Sequence, residues 1–154
     1  MKKLVLFFNL LVPAIFLVFL ASCTPAACFE ETNAFLKVSF YNNTTKEQLA
    51  PDSLTLIGLE QTTKIYNKAT GVQPGLFPLD PGGNSSAFMI RINGVNDTIE
   101  FNYTSFPHLI SKECGYTFFH TLDLLDFTQN IIDTVLIMNR NITTINEENI
   151  RIFY

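Results

Sequence analysis

From residue 35 to residue 154 the chain seldom holds a helical period, and apolar residues instead recur at every second position over short runs bounded by turn residues. Phe35 to Tyr41 sets Leu36, Val38 and Phe40 on one face against Lys37 and Ser39 on the other. Asn42-Asn43-Thr44-Thr45 then breaks the run. Ser53 to Leu59 and Lys64 to Asn67 read as further strands. Residues 69–84 form a long connection marked by Gly71, Pro74, Gly75, Pro78, Pro81, Gly82 and Gly83. Ser86 to Ile92 and Thr98 to Tyr103 read as a hairpin around Asn93-Gly94, because a two-residue turn of that kind needs side chains that tolerate positive φ. Tyr116 to Leu122, Ile132 to Asn139 and Asn149 to Phe153 complete about eight strands by this reading. Leu122 to Asn130 alternates poorly and is taken as a connection. The pattern predicts an all-β fold over 35–154, an antiparallel β-sandwich of immunoglobulin-like or transthyretin-like type. Eleven phenylalanines and no tryptophan follow residue 22, and most are expected between the two sheets.

The first 22 residues obey a different rule. Lys2 and Lys3 precede Leu4 to Leu20, an apolar run interrupted by Asn9 and Pro13, which has the form of a secretory leader. The run is short for a spanning helix, which needs roughly 20 apolar residues. It ends in Leu20-Ala21-Ser22-Cys23, which resembles the lipobox of bacterial lipoproteins. That resemblance implies cleavage after residue 22, a diacylglycerol on Cys23 and acylation of the new amino terminus; the alternative is an uncleaved signal anchor with an incidental cysteine. Two or three acyl chains, at about 0.8 kcal/mol per buried methylene, hold a domain stably on a bilayer without spanning it. Residues 23–34 are then a lipidated amino terminus and short tether. No acidic residue directly follows Cys23, and the expected address is the outer membrane, its periplasmic face rather than the cell surface.

Composition looks different once the leader is set aside. The whole chain is 47% hydrophobic, but 17 of those residues lie in 1–22, and the remainder has an ordinary globular composition. The rest of the chain keeps 8 basic against 14 acidic side chains, about −6, which disfavours nucleic acid as a partner. With Cys23 assigned to lipid, Cys28 and Cys114 are an even pair in an oxidising compartment and read as a disulfide, the alternative being two unpaired buried thiols. Five residue steps separate Cys23 from Cys28, so the tether spans less than about 20 Å and holds the domain close to the membrane.

Several segments together resemble a family of small, functionally uncharacterised lipoproteins of Bacteroidetes. They are Cys28 soon after the lipobox, Phe35-Leu36-Lys37-Val38-Ser39-Phe40-Tyr41, Phe77-Pro78-Leu79, Ile99-Glu100-Phe101-Asn102-Tyr103, Ile110-Ser111-Lys112-Glu113-Cys114-Gly115-Tyr116 and the closing Asn149-Ile150-Arg151-Ile152-Phe153-Tyr154. The resemblance implies a lipid-anchored all-β envelope domain with a paired cysteine, and it carries over no catalytic residue. A second motif resembles an O-glycosylation acceptor of the same bacterial group: Asp52-Ser53-Leu54, Asp97-Thr98-Ile99 and Asp133-Thr134-Val135 would offer Ser53, Thr98 and Thr134. The competing reading of these three is turn-to-strand chemistry, with Asp capping the turn. Six Asn-x-Ser/Thr matches read as loop composition.

Catalytic chemistry is sparse. The histidines are His108, in an expected loop, and His120, on the strand face that carries Tyr116, Phe118 and Leu122. His120, Asp123 and Asp126 are the densest polar triplet, with neither zinc nor EF-hand spacing. No G-x-S-x-G, H-E-x-x-H or P-loop pattern occurs, and Asp80-Pro81-Gly82-Gly83-Asn84 reads as a tight turn rather than a phosphate cradle. The expectation is a non-enzymatic binding or scaffolding module without cofactor or metal. It would be held to the membrane by lipid on Cys23 and would meet an envelope protein partner through edge strands or the 69–84 connection. One alternative is a carbohydrate-binding accessory lipoprotein using Tyr66, Tyr103 or Tyr116 as sugar platforms. Another is a small hydrolase built on His120 and nearby acids.

Overall fold

A computed structural model describes residues 27–154; the leader 1–22 and Cys23 lie outside the described residues. Ten strands are present among the described residues: β1 (Leu36–Tyr41), β2 (Leu54–Gly58), β3 (Lys64–Ala69), β4 (Gly75–Phe77), β5 (Ser85–Ile92), β6 (Val95–Ser111), β7 (Gly115–Phe127), β8 (Thr134–Ile137), β9 (Asn141–Ile142) and β10 (Ile150–Phe153). They form a four-stranded sheet, β4-β1-β10-β8, and a six-stranded sheet, β3-β2-β5-β6-β7-β9. The inward side chains of both sheets make one apolar core, so the fold is the expected all-β sandwich. Alternation places Leu36, Val38, Phe40, Ile150 and Ile152 on the inner face of the small sheet. It places Leu54, Leu56, Phe88, Ile90, Ile92, Ile99, Phe101 and Leu122 opposite them. The rings of Phe77, Phe88 and Phe101 meet edge-on or tilted at 5.3–6.1 Å between centroids, the geometry that aromatic quadrupoles favour.

The strand count exceeds the expected eight, and one neighbour pair is parallel: β10 inserts between β1 and β8, matching Val38 to Ile150 and Tyr41 to Phe153. Parallel neighbours need a long crossover, which here is the entire domain between the first and last strands. The segment 69–84 is also not all connection. Gly75–Phe77 is an edge strand beside β1, and Gly75 is there because a Cβ would come within 3.2 Å of the rings of Phe40 and Phe77. Just before it, the Gln73 side-chain amide accepts from the Phe40 amide at 3.1 Å and donates to the Phe40 carbonyl at 3.2 Å, standing in for one more strand residue.

The hairpin around Asn93 and Gly94 forms as expected, with φ of 48° and 93° at the two turn residues. Its second strand runs far past Tyr103, however, to Ser111, and β7 runs past Leu122 to Phe127. Leu122 to Asn130 is therefore strand as far as Phe127, because Leu125 pairs with Phe101 and Phe127 with Ile99. His108 lies within β6 rather than in a loop, its ring stacked on Phe119 at 4.1 Å. Beyond Asn102 β6 has no β5 partner, so Pro107 sits on an exposed strand edge where its missing N–H breaks no sheet ladder on that side.

Candidate functional site

The β6–β7 ladder continues beyond both of its neighbours. β5 pairs with β6 only up to Asn102, and β9 meets β7 only at His120 and Thr121, leaving 104–119 as a two-stranded ribbon. Cross-strand pairs share a face, so the core-facing side continues outward from Tyr103/Leu122 through Ser105/His120 to Pro107/Phe118 and Leu109/Tyr116. Along that line burial gives way to exposure: Tyr103 and Leu122 are enclosed, whereas Leu109, Tyr116 and Phe118 are exposed.

The amino-terminal segment is fastened to this ribbon at two points. Cys28 and Cys114 are joined as a disulfide with 4.8 Å between Cα atoms, at the turn that ends the ribbon. Halfway back, the Thr117 hydroxyl donates to the Thr32 carbonyl at 2.6 Å. Between this segment, the 78–81 loop and β7 lies an open pocket of about 240 Å³, bordered by Asn33, Phe35, Pro78, Leu79, Phe118 and His120 among others.

His120 is the titratable group of that pocket. It is 3% exposed, its Nδ1 lies 2.8 Å from Ser105 Oγ, and its ring meets Tyr103 edge-on at 5.2 Å. Burial pushes the imidazole below its ordinary value, so the neutral ring is favoured. The triplet expected from the sequence is not assembled: His120 points into the core, while Asp123 and Asp126 are exposed and the Asp123 carboxylate accepts from Thr104 at 3.1 Å. Ser105 occupies the Nδ1 of His120, the nitrogen at which a triad carboxylate fixes the tautomer and stabilises the imidazolium as it forms. Among the described residues no three histidines, cysteines or acids are placed to hold a metal ion.

The remaining sequence-derived sites fall elsewhere. Tyr103, one expected sugar platform, is a core residue. Its hydroxyl takes the Asp80 amide at 2.9 Å, donates to the Asp80 carbonyl at 2.9 Å and lies 2.7 Å from Ser86 Oγ, which locks the turn at 80–85. Tyr66 is half-buried and accepts from the Leu76 amide at 3.0 Å, leaving Tyr116 as the exposed member of the three. In the turn itself Asp80 Oδ1 accepts from Gly82 at 2.9 Å, an Asx turn rather than a phosphate site. Thr98 and Thr134 are exposed and Ser53 is half-buried, but their preceding acids differ. Asp52 and Asp133 are exposed, whereas Asp97 is 2% exposed and its carboxylate takes Thr128 Oγ1 at 2.5 Å and the amides of Asn130, Ile131 and Ile132 at 2.8–3.0 Å. Asp97 thus caps not its own turn but a connection more than 30 residues away along the chain. Alternation alone sets Lys37 on the outward face of β1. Its ammonium instead donates to the carbonyls of Phe35 and Thr143, and burial lowers its pKa against the opposing pull of Glu31 and Glu147.

A small sandwich with a disulfide-pinned ribbon defines the class: a compact all-β module that carries a two-stranded arm. The chain belongs to the family of unknown function DUF6452, whose model matches residues 53–154. That span takes in β2 to β10 and Cys114 and leaves out β1 and Cys28. No curated protein and no solved structure matches the chain.

Proposed function

We propose that the protein is a lipid-anchored cell-envelope module of the Bacteroidetes lipoprotein type, without catalytic activity, that binds or scaffolds another envelope component. Its leader is removed after residue 22, lipid is carried on Cys23, and the domain stands on the periplasmic face of the outer membrane. The observation that carries this reading is the placement of Cys28: its bond to Cys114 fastens the membrane-side end of the chain to the ribbon tip. The sandwich is thereby left free to meet a partner with its other surfaces. The edge strand β8 suits that purpose, because its backbone is paired only with β10 and Leu136 and Met138 are exposed beside it. An added strand from a partner protein would gain main-chain hydrogen bonds and apolar contacts together. The edge strand β3 carries Lys64 and Lys68 and a register shift against β2, features that discourage pairing.

Crosslinking in intact envelopes followed by purification in mild detergent tests the reading. Wild-type protein should fractionate with the outer membrane and bring down one stoichiometric protein. Cys23→Ser should release it from the membrane, and Leu136→Arg should keep the anchor but lose the partner. Absence of any stoichiometric partner, with the anchor intact, sinks the scaffolding reading.

A further inference from the structure

We propose that the end of the β6–β7 ribbon is a membrane-contact element, seated at headgroup level in the bilayer that carries the lipid anchor; this rests on the reading of Cys23 as lipidated. The ribbon exposes apolar side chains on both faces, most of them on the core-facing side, while the other face mixes Phe106 and Phe119 with Thr104, His108, Thr117 and Thr121. Pro107, Leu109, Tyr116 and Phe118 continue the core-facing side, and Phe106 and Phe119 pair on the other. Tyr116 is 73% exposed and Phe29, next to the disulfide, is 92% exposed. A protein partner docking on a sheet covers one face, whereas an interfacial layer of lipid surrounds a thin ribbon on both. Aromatic side chains are the ones that favour that layer. The turn itself bears Lys112 and Glu113, which keeps the seating shallow, since both charges remain among headgroups.

Geometry supplies the second argument. Cys114 sits at the ribbon end and holds Cys28, and five residue steps from Cys28 to the acylated position span less than about 20 Å. The tip is therefore confined near the bilayer, and contact becomes an intramolecular event that weak apolar burial suffices to favour. Glu30, Glu31 and Glu113 outnumber Lys112 around the tip, so attraction to anionic lipid is not the driving force and the contact should be indifferent to salt. The acyl chains hold the protein, and the ribbon fixes which way it faces.

The chain contains no tryptophan, so a single introduced one reports cleanly. Full-length lipidated protein would carry Tyr116→Trp, Leu109→Trp as a second reporter, or Val95→Trp as a control at the opposite end of β6, roughly 45 Å away along the strand. Each would be placed in phosphatidylethanolamine–phosphatidylcholine nanodiscs with and without brominated acyl chains. We expect blue-shifted emission and bromine quenching about threefold or more above the control for both ribbon reporters, unchanged between low and high salt. Equal quenching at both ends, or a blue shift without bromine quenching that accompanies crosslinked dimers, overturns the proposal, the latter in favour of a second copy of the chain. Intact mass of the same samples separates the two failures: acylated protein with an unquenched ribbon refutes the membrane contact alone, and unacylated protein refutes the anchor and the contact that rests on it.

Discussion

The two carboxylate oxygens of Asp97 accept four hydrogen bonds from one connection, residues 128–132, which carries the chain from the large sheet to the small one. Burial alone would raise its pKa, but the bonds from Thr128, Ile131, Asn130 and Ile132 outweigh it and hold the carboxyl below its ordinary 3.8. Asp97→Asn turns an amide toward two of those donors, and the expected loss is about 2–4 kcal/mol by urea denaturation at neutral pH. The native pKa is depressed, so the contribution is whole above 3.8 and disappears as pH falls through the native value; the variant should lack that part of the acid limb. An unchanged acid limb would show that the four bonds do not favour the charged form. His120 acts in a separate window. Its native pKa is lowered from 6.5 by burial, so the unfolded chain binds the extra proton and stability falls as pH drops below 6.5 toward the native value. His120→Phe should flatten the stability profile as pH falls below 6.5, and equal slopes in both proteins would contradict the buried neutral ring.

At the scale of elements, two glycines act in opposite ways. Gly94 has a φ of 93° and open space where a Cβ would stand, so Gly94→Ala acts through backbone strain and should cost about 1–2 kcal/mol without disturbing the core. Gly75→Ala instead pushes a methyl group against the rings of Phe40 and Phe77 and should cost about 1–3 kcal/mol by overpacking. Near-ultraviolet circular dichroism distinguishes them, since only the second should alter the aromatic signal. The Asn93-Gly94 turn was legible because its residues declare its geometry, and so were β1 and β5, where alternation marks a half-buried sheet. β4 was hidden because a three-residue edge strand between prolines offers no period, and its ladder is completed by a side chain, Gln73, rather than by backbone. The extension of β6 past Tyr103 was hidden for a related reason. Past Tyr103 the neighbours Phe106-Pro107 and Leu109-Ile110 put apolar residues at adjacent positions, so the alternation that marks a strand fades where the strand leaves the core. Of the candidate site, the cysteine pair was legible only through the expectation that Cys23 is lipidated, which leaves Cys28 and Cys114 as an even pair. The pocket and the Ser105–His120 contact were not, because cross-strand register decides them.

At the scale of the molecule, the disulfide ties two parts that both lie outside the core, the segment that begins at residue 28 and the tip of the ribbon. Its 86-residue separation implies on the order of 4–5 kcal/mol if only the unfolded chain were constrained. The native state changes that figure. Without the bond, Phe29, Glu30 and Glu31, which are exposed, gain freedom in the folded protein as well, and the entropy recovered there offsets part of the loss. The paired variant Cys28→Ser/Cys114→Ser should therefore lose about 2–3 kcal/mol rather than the full amount, with the sandwich still cooperative. Hydrogen exchange should show the loosening confined to residues 28–34 and 111–119, with protection retained at Phe101, Tyr103 and Ile152 in the core. A loss of the full magnitude with uniform deprotection would mean instead that the ribbon and the sandwich are one cooperative unit, and that the arm is structural support for the core rather than a separate appendage.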